Sequence, residues 1–247
     1  MSSPISTSQT KAARRPYGLA ALLLLAIALF AALGVWQIER MQWKHALIAR
    51  VDARVHAAPV ALPSDARLGG TGAADLEYLR VRASGVYQGS ATALVRAATE
   101  LGTGYWTMTP LRLADGRQVW INRGFVPAGT SAATAGATAP GGRVTVIGLL
   151  RKSEPKGSIL QSNRPEGDRW YARDVAAMAS ARGIGAVLPA FVDAQVEQAD
   201  APSSAKLRPV PGLTQIRFPD SHLTYALTWF AMALFSAVGL AYIWRRA

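Results

Sequence analysis

Two long stretches of the sequence carry no charged residue, and they constrain the fold more than any other feature. The first runs from Tyr17 to Trp36 and the second from Leu223 to Trp244. A helix rises about 1.5 Å per residue, so about 20 residues cross the hydrocarbon core of a bilayer. A core helix of a soluble protein rarely stays apolar on every face over that length. The sequence therefore predicts two transmembrane helices.

Basic residues at the outer ends of these stretches predict the orientation. Lys11, Arg14 and Arg15 precede the first stretch, and Arg245 and Arg246 follow the second. Since Lys and Arg are enriched on the cytoplasmic side, we expect both termini in the cytoplasm and the intervening domain in the periplasm, with the protein in the cell inner membrane. The first stretch is too long for a cleaved signal peptide and lacks an obvious cleavage site, which favours an uncleaved anchor.

These limits give a predicted organisation for the whole chain. We predict a cytoplasmic tail at 1–16, a transmembrane helix at 17–37, an extracytoplasmic domain at 38–221, a second transmembrane helix at 222–244 and a cytoplasmic end at 245–247. The helical pattern of the first span continues towards residue 55 before prolines interrupt it.

Short runs of alternating apolar and polar residues predict that the extracytoplasmic domain is rich in β-strands. Asp115-Gly116 is a hairpin signal, Asp174 is expected to cap a helix ending near Arg182, and the Ala/Thr/Gly-rich residues 130–142 suggest a mobile loop. Residues 200–211 are expected to tether the domain to the second span. The predicted fold class is membrane α plus β, with an antiparallel or barrel-like sheet between two transmembrane helices. The strand-like runs are 79–87, 93–97, 105–113, 118–126, 143–150 and 188–195.

Composition argues against several classes of function. The chain has no cysteine, which excludes disulfides, thiolate metal sites and covalent c-type haem attachment. Its 27 Lys and Arg outnumber 15 Asp and Glu, but no dense basic run alternates with aromatic residues as nucleic-acid binding would require. A basic surface suits anionic lipid or haem propionates better. No phosphate-binding loop, nucleophile elbow or metalloprotease motif is present, so we expect a protein that is not an enzyme.

His222 stands out among the three histidines because it begins the second span. Ala226, Trp229, Ala233 and Ser236 follow it at helical spacing on about one face. A neutral imidazole above small residues and one indole could ligate a haem iron. The alternative is an interfacial histidine that only caps the helix.

Cationic residues near the two spans could pair with the carboxylates of a bound ligand. Arg40 and Lys44 lie just beyond the first span, and Arg217 lies just before the second. Haem propionates are one such ligand group. The alternative for Arg40 is a cation–π contact with a neighbouring indole at the membrane boundary.

Five short motifs follow one another in order along nearly the whole chain. They are Gly34-Val35-Trp36-Gln37 with Arg40 and Trp43-Lys44, Thr109-Pro110-Leu111, Asn122-Arg123-Gly124-Phe125-Val126-Pro127, Trp170-Tyr171 with Asp174, and His222-Leu223 with Tyr225-Ala226 and Thr228-Trp229-Phe230. Together these motifs resemble the Surf-one family (surfeit locus protein one). Phe125 stands where the family more often has Trp, and Asp220-Ser221 stand where Asn is more usual.

The resemblance implies a role in the assembly of haem-copper (cytochrome c) oxidase. Bacterial relatives are thought to bind haem a and present it to the catalytic subunit, and His222 matches their proposed iron ligand. The implied partners are that catalytic subunit, haem a synthase and membrane lipid, with no nucleic acid. The alternative is a scaffold that stabilises an oxidase intermediate without binding haem. Asn122, Arg123 and Gly124 are expected to form a tight turn.

Overall fold

The structure is a computed structural model of the chain, and it describes residues 17–70, 75–155, 161–201, 203–213 and 221–246. The described residues fall into two compact units. One contains the chain up to Ala49 together with the C-terminal helix, and the other begins at Arg50 and contains the sheet. The helices are α1 (Tyr17–His56), α2 (Asp65–Gly69), α3 (Ala132–Gly136), α4 (Val175–Arg182) and α5 (His222–Arg246). The strands are β1 (Val60–Ala61), β2 (Arg80–Tyr87), β3 (Ala93–Thr99), β4 (Gly102–Leu113), β5 (Gln118–Pro127), β6 (Arg143–Lys152) and β7 (Ala190–Ala199).

Helices α1 and α5 are both long and apolar enough to cross a membrane. They pack against each other in opposite directions, since Leu23 near the start of α1 contacts Gly239 near the end of α5. Phe30 and Trp229 stack further along the pair. α1 is 40 residues long and so continues well past the predicted span, as the helical pattern up to residue 55 indicated. Where the membrane boundary falls along α1 stays a prediction.

The seven strands form one sheet in the order β1-β2-β6-β7-β5-β4-β3. A further antiparallel pairing joins β2 to β4, with Gly85 opposite Leu113 and Tyr87 opposite Leu111. This pairing closes β2, β6, β7, β5 and β4 into a ring, in agreement with the barrel-like alternative. The sheet is mixed and not wholly antiparallel, because β5 runs parallel to β7 and β1 runs parallel to β2.

Two apolar clusters cover opposite faces of this ring. The larger one includes alternate residues from all five strands of the ring, such as Val81, Leu111, Ile121, Val146 and Val192. The side chains next to two of these positions, Trp120 and Phe191, belong to the second cluster together with Val175 and Met178 of α4. This is the period-two alternation expected of strands that are buried on both faces. The ring therefore encloses one core and carries a second core beneath α4.

Several local predictions are confirmed. Gly116 has a φ of 84° between β4 and β5, as a tight hairpin at Asp115-Gly116 requires. The Asp174 side chain accepts a hydrogen bond from the backbone N–H of Ala177 and so caps α4, which ends at Arg182.

Two local predictions were wrong. Asn122, Arg123 and Gly124 do not form a tight turn, because they lie inside β5: Asn122 pairs with β4 and β7, and Arg123 and Gly124 lie at the shift in register between β5 and β4. Residues 130–142 are not simply a loop, because they include helix α3. Thr138 within this segment is buried and accepts a hydrogen bond from Arg123. The Ala/Thr/Gly-rich composition of this segment gave no indication that Thr138 would be buried and hydrogen-bonded.

Gly124 supports the chain that leaves β7. The backbone of Phe125 exchanges two hydrogen bonds of 2.9 Å with Val210, and this bridge holds the chain at Val210 against β5. Gly124 has a φ of 122°, and a Cβ atom placed on it would lie 2.2 Å from the Val210 carbonyl oxygen. Only glycine fits, since both the backbone conformation and the space exclude a side chain.

Replacing Gly124 by alanine should destabilise the protein by about 2–4 kcal/mol, because the new Cβ meets backbone and the residue becomes strained. The measurement is guanidinium unfolding of the full-length protein in detergent, followed by tryptophan fluorescence. Gly141→Ala is the matched control, because a Cβ there meets nothing within 4 Å. Equal stability of the two variants would contradict the close approach of the Val210 backbone to Gly124.

Candidate functional site

His222 lies at the first residue of α5, where its imidazole is partly buried beside α1. Its Nδ1 atom lies 2.9 Å from Oε1 of Gln37. Either tautomer can make this bond, since the amide can accept from Nδ1–H through its oxygen or, turned over, donate to Nδ1 through its NH2 group. Histidines that ligate metals generally donate their second ring N–H to an acceptor, which is the first of these two arrangements. A contact between His222 and a haem iron stays a prediction.

The helix face below His222 does not form a ligand pocket, because it packs against α1. Ala226 is only 1% exposed. The indole of Trp229 stacks on Phe30 with ring centroids 5.8 Å apart. Trp229, predicted from its spacing to border a ligand, is thus placed in the contact between the helices. A ligand on His222 would have to approach the imidazole at the end of the pair.

Gly34 allows the two helices to approach each other closely beneath His222. A Cβ atom on Gly34 would lie 2.6 Å from the ring of Phe230, so the ring occupies the space that a side chain would take. Small residues at helix interfaces allow such close packing in membranes. Gln37 follows Gly34 by about one helical turn and therefore shares its face.

The structure describes two of the three predicted cationic partners. The guanidinium carbon of Arg40 lies 4.3 Å from the ring centroid of Trp43, on an exposed part of α1, which is the cation–π alternative. Lys44 is partly buried two turns beyond Gln37 and on the same face of α1. Arg217 lies outside the described residues. A contact of any of these with a propionate stays a prediction.

Gln37 is the site residue that sequence reasoning left without a role. Its position within an otherwise apolar helix end, one turn after a glycine, was the available signal. A polar side chain on the face that packs against another helix needs a hydrogen-bond partner. Within the described residues there is no cluster of three or more His, Asp or Glu side chains that could hold a metal ion.

A second group of functional side chains lies in the unit that begins at Arg50 and contains the sheet, which we call the β unit. This group surrounds Asp193, which is 2% exposed. Its carboxylate accepts hydrogen bonds from Asn122 Nδ2 at 2.8 Å, Arg151 Nη1 at 3.1 Å and Arg173 Nη1 at 3.3 Å. Arg173 also donates to both carboxylate oxygens of Glu154, at 3.0 and 2.6 Å. A cavity of about 390 Å³ adjoins this cluster. We interpret the cluster as structural, because it ties the chain around Glu154 and Arg173 to β7.

Arg123 organises another polar cluster. It donates to Glu197 at 2.9 and 3.0 Å and to the Thr138 hydroxyl at 2.8 Å. The Tyr87 hydroxyl donates to Glu197 at 2.6 Å. Burial, and then the Glu197 charge, raise the pKa of Tyr87 well above its ordinary value, so it stays a neutral donor. Burial works against the charge of Arg123, but Glu197 raises the Arg123 pKa overall. Arg123 is therefore a buried cation with its partners in place.

Comparison with known proteins identifies the family to which this chain belongs. The model of the SURF1 family matches residues 24–234, which include Gly34, Gln37, the Asn122-Arg123-Gly124 motif and His222. The chain belongs to the SURF1 family.

Named relatives match this SURF1 family member over almost its whole length. Surfeit locus protein 1 of Homo sapiens is 32% identical over 98% of this chain and 81% of the human protein. The Mus musculus protein of the same name is 32% identical over 97% of this chain and 79% of its own length. A SURF1-like protein of Monosiga brevicollis is 34% identical over 96% of this chain and 90% of its own length. The resemblance stated from the motifs is thus confirmed.

Replacing Glu154 by glutamine should weaken the Asp193 cluster most at neutral pH. Burial alone would raise the Glu154 pKa, but the hydrogen bonds and charge of Arg173 outweigh it and lower the pKa from its ordinary value. The carboxylate therefore stabilises the fold above its unfolded-state pKa, and this contribution is lost as the pH falls through the folded-state pKa. Since the side chain is 36% exposed, we expect a loss of about 1 kcal/mol at pH 7.

The measurement is the unfolding free energy in detergent between pH 7 and pH 3. The wild type should lose stability on acidification more steeply than Glu154→Gln, and the two curves should converge at low pH. Glu166→Gln, at an exposed carboxylate, is the control and should follow the wild type. Parallel curves for wild type and Glu154→Gln would show that Arg173 does not stabilise the ionised form of Glu154.

Proposed function

We propose that this protein is an inner-membrane assembly factor for haem-copper oxidase that holds haem a on His222 and assists its insertion into the catalytic subunit. Membership of the SURF1 family supports the assembly role, as the sequence resemblance implied. The observation that carries the haem proposal is the position of His222 at the first residue of α5, where its imidazole is partly buried beside α1 and is bonded through Nδ1 to Gln37. In this role the protein is a carrier or chaperone, not an enzyme.

The depth of the site along the helices supports its use at a membrane surface. His222 and Gln37 lie at the ends of the two uncharged stretches, beside the exposed indoles of Trp36 and Trp43. The opposite end of α5 carries exposed Tyr242 and Trp244. Aromatic rings at both ends of an apolar helix match the two interfaces of a bilayer. In the proposed topology, the imidazole lies at the periplasmic interface, where a hydrophobic ligand could pass between lipid and protein.

Different side chains would contact the iron and the propionates of the ligand. Haem a, when bound, would supply an iron that accepts a nitrogen lone pair and two propionates that need cationic partners. His222 would give the lone pair of Nε2, while Gln37 keeps the ring oriented. Arg40, Lys44 and Arg217 are the proposed partners of the carboxylates. The catalytic subunit of the oxidase would receive the ligand, and haem a synthase is the proposed donor.

The proposed topology predicts which residues a membrane-impermeant maleimide can label. The natural chain has no cysteine, so single cysteine variants report one position each. Asp115→Cys, in the exposed hairpin of the β unit, should react in intact spheroplasts. Arg246→Cys should react only after the membrane is permeabilised. The reverse pattern would place the β unit in the cytoplasm and overturn the topology.

The haem role predicts the absorption spectrum of the full-length protein purified from cells that also make haem a. The wild type should show a haem a spectrum, and His222→Ala should lose it while keeping the same helix content, because the ligand nitrogen is removed. His56→Ala, at an exposed histidine bonded to the Asp52 carbonyl, is the control and should keep the spectrum. A colourless wild type that still co-purifies with oxidase subunits would favour a scaffold, and an unchanged spectrum in His222→Ala would exclude this residue as the ligand.

A further inference from the structure

One outer face of the sheet in the β unit carries arginine side chains and no acidic ones. Strands β2, β4, β6 and β7 point alternate side chains into the enclosed core, so the residues between them point outward. We call part of this outer surface the arginine face, and its residues are Arg82, Ser84, Val86, Arg112, Arg143, Thr145, Ile147, Val196 and Gln198.

The strand register places these residues in rows across the sheet. Val86 of β2 lies opposite Arg112 of β4 on one side and opposite Arg143 of β6 on the other. In a parallel row, Arg82 lies opposite Ile147, which in turn lies opposite Val196 of β7. Directly opposite residues of antiparallel strands have Cβ atoms about 5 Å apart. Guanidinium groups and apolar side chains therefore lie side by side on this face.

The three arginines of this face are exposed, and their charges are not balanced locally. Within the part of the chain that the structure describes, none of them forms an ion pair or a side-chain hydrogen bond. Arg123 and Arg151, on the same sheet, each pair with a carboxylate. Glu197, which lies between two residues of the face on β7, points to the other side and binds Arg123. The arginine face is therefore a positively charged patch.

The apolar side chains of the face are also uncovered. Val86 is 49% exposed and Val196 is 42% exposed, although both lie in the middle of a sheet. Between the two rows, Ser84 and Thr145 bond each other at 2.9 Å, so their hydroxyl groups have a partner. Exposed apolar side chains with arginine beside them are typical of protein–protein interfaces, where arginine is enriched and lysine is depleted.

The chemistry of the face favours one class of partner. A second copy of the chain would place arginine against arginine in a two-fold contact, which is repulsive. Binding to an anionic membrane surface typically uses lysine as well as arginine and apolar aromatic side chains that enter the lipid, and the face has no lysine and no aromatic residue. Protein carboxylates form bidentate pairs with guanidinium groups. The occupant that fits is an acidic protein surface with an apolar centre.

We propose that the arginine face docks an acidic surface of the oxidase catalytic subunit. This inference rests on the proposed function, which supplies the partner. Carboxylates of that subunit pair with Arg82, Arg112 and Arg143, and an apolar patch packs on Val86 and Val196. His222 belongs to the other unit of the chain, so docking and ligand holding use different residues and can be tested separately.

The first measurement is the amount of catalytic subunit that co-purifies with the tagged full-length protein from cells that make the oxidase. The double variant Arg112→Glu, Arg143→Glu should recover about 10-fold less subunit or lower, because carboxylates would then face carboxylates. Arg67→Glu makes the same change at an exposed arginine of α2 and should match the wild type. Since the arginines of the face have no partner to lose within the described residues, guanidinium unfolding of all variants should match the wild type.

The second measurement locates the carboxylates of the partner. A carbodiimide couples a carboxylate to a nearby amine and leaves guanidinium groups unchanged. Arg82→Lys, Arg112→Lys and Arg143→Lys keep the positive charge and add one amine each. Each should therefore form a cross-link between the new lysine and an Asp or Glu of the catalytic subunit, identified by mass spectrometry of the peptides. Arg67→Lys is the control and should form no such cross-link.

The outcomes distinguish this inference from the proposed function. If the wild type recovers no catalytic subunit, the proposed partner fails and this inference falls with it. If the double variant recovers as much subunit as the wild type, only the docking surface is overturned. Loss of co-purified anionic phospholipid with the subunit retained would assign the face to lipid and overturn the proposal in the same way. Loss of the subunit, with unchanged stability and an unchanged haem a spectrum, would support docking at the arginine face.

Discussion

Close contact between α1 and α5 is the constraint on which the site at the helix ends depends. Helices in lipid gain little from burying apolar side chains against one another, so their association relies on fit and on polar contacts. Here the fit comes from Gly34, whose missing side chain leaves space for Phe230. The polar contact is the bond between Gln37 and His222. A bulkier residue at position 34 would have to displace the ring of Phe230 from this space.

In the β unit, three consecutive residues of β5 make the contacts that hold neighbouring parts of the chain in place. Asn122 donates to Asp193, Arg123 to Glu197 and Thr138, and Gly124 lies beneath Val210. Successive side chains of a strand point to opposite faces, so one short motif reaches two polar clusters. Such clusters cost desolvation and are strongly destabilised when one member is removed. Their value lies in fixing one arrangement of the strands and of the chain that follows them.

The sequence was sufficient to predict the elements that follow from local rules. The uncharged stretches predicted both long helices, alternation predicted the strands from β2 to β7, and Asp174 predicted the start of α4. Pairing was harder to predict, because the parallel neighbours β5 and β7 are separated by more than 60 residues and nothing in either run records the other. The segment 130–142 was misread for a similar reason, since Thr138 acquires its role only from Arg123. Low complexity describes composition and carries no information on a distant partner.

At the candidate site, too, local rules predicted one residue and missed another whose role depends on a distant partner. His222 was found because a lone histidine at the head of an apolar helix is unusual in itself, whereas Gln37 acquires significance only from a residue 185 positions away. The indole of Trp229 stacks on Phe30 of α1, a contact that helical spacing alone could not predict, and its contact with a ligand stays a prediction. The family motif includes Gln37, but it assigns no function to this residue. Only the fold shows that the Gln37 side chain contacts the imidazole of His222.

In the proposed function the protein must release its ligand, and a neutral amide beside His222 suits that role. A carboxylate bonded to Nδ1–H gives the imidazole more anionic character and strengthens the metal bond, as in the carboxylate–histidine pairs of permanent metal sites. Gln37 orients the ring in the same way but adds no charge. In the proposed role, one imidazole at the end of a helix pair offers a single and moderate bond to the ligand. A carrier gains from such a site, because the receiving subunit needs only a modest advantage in binding free energy to remove the ligand.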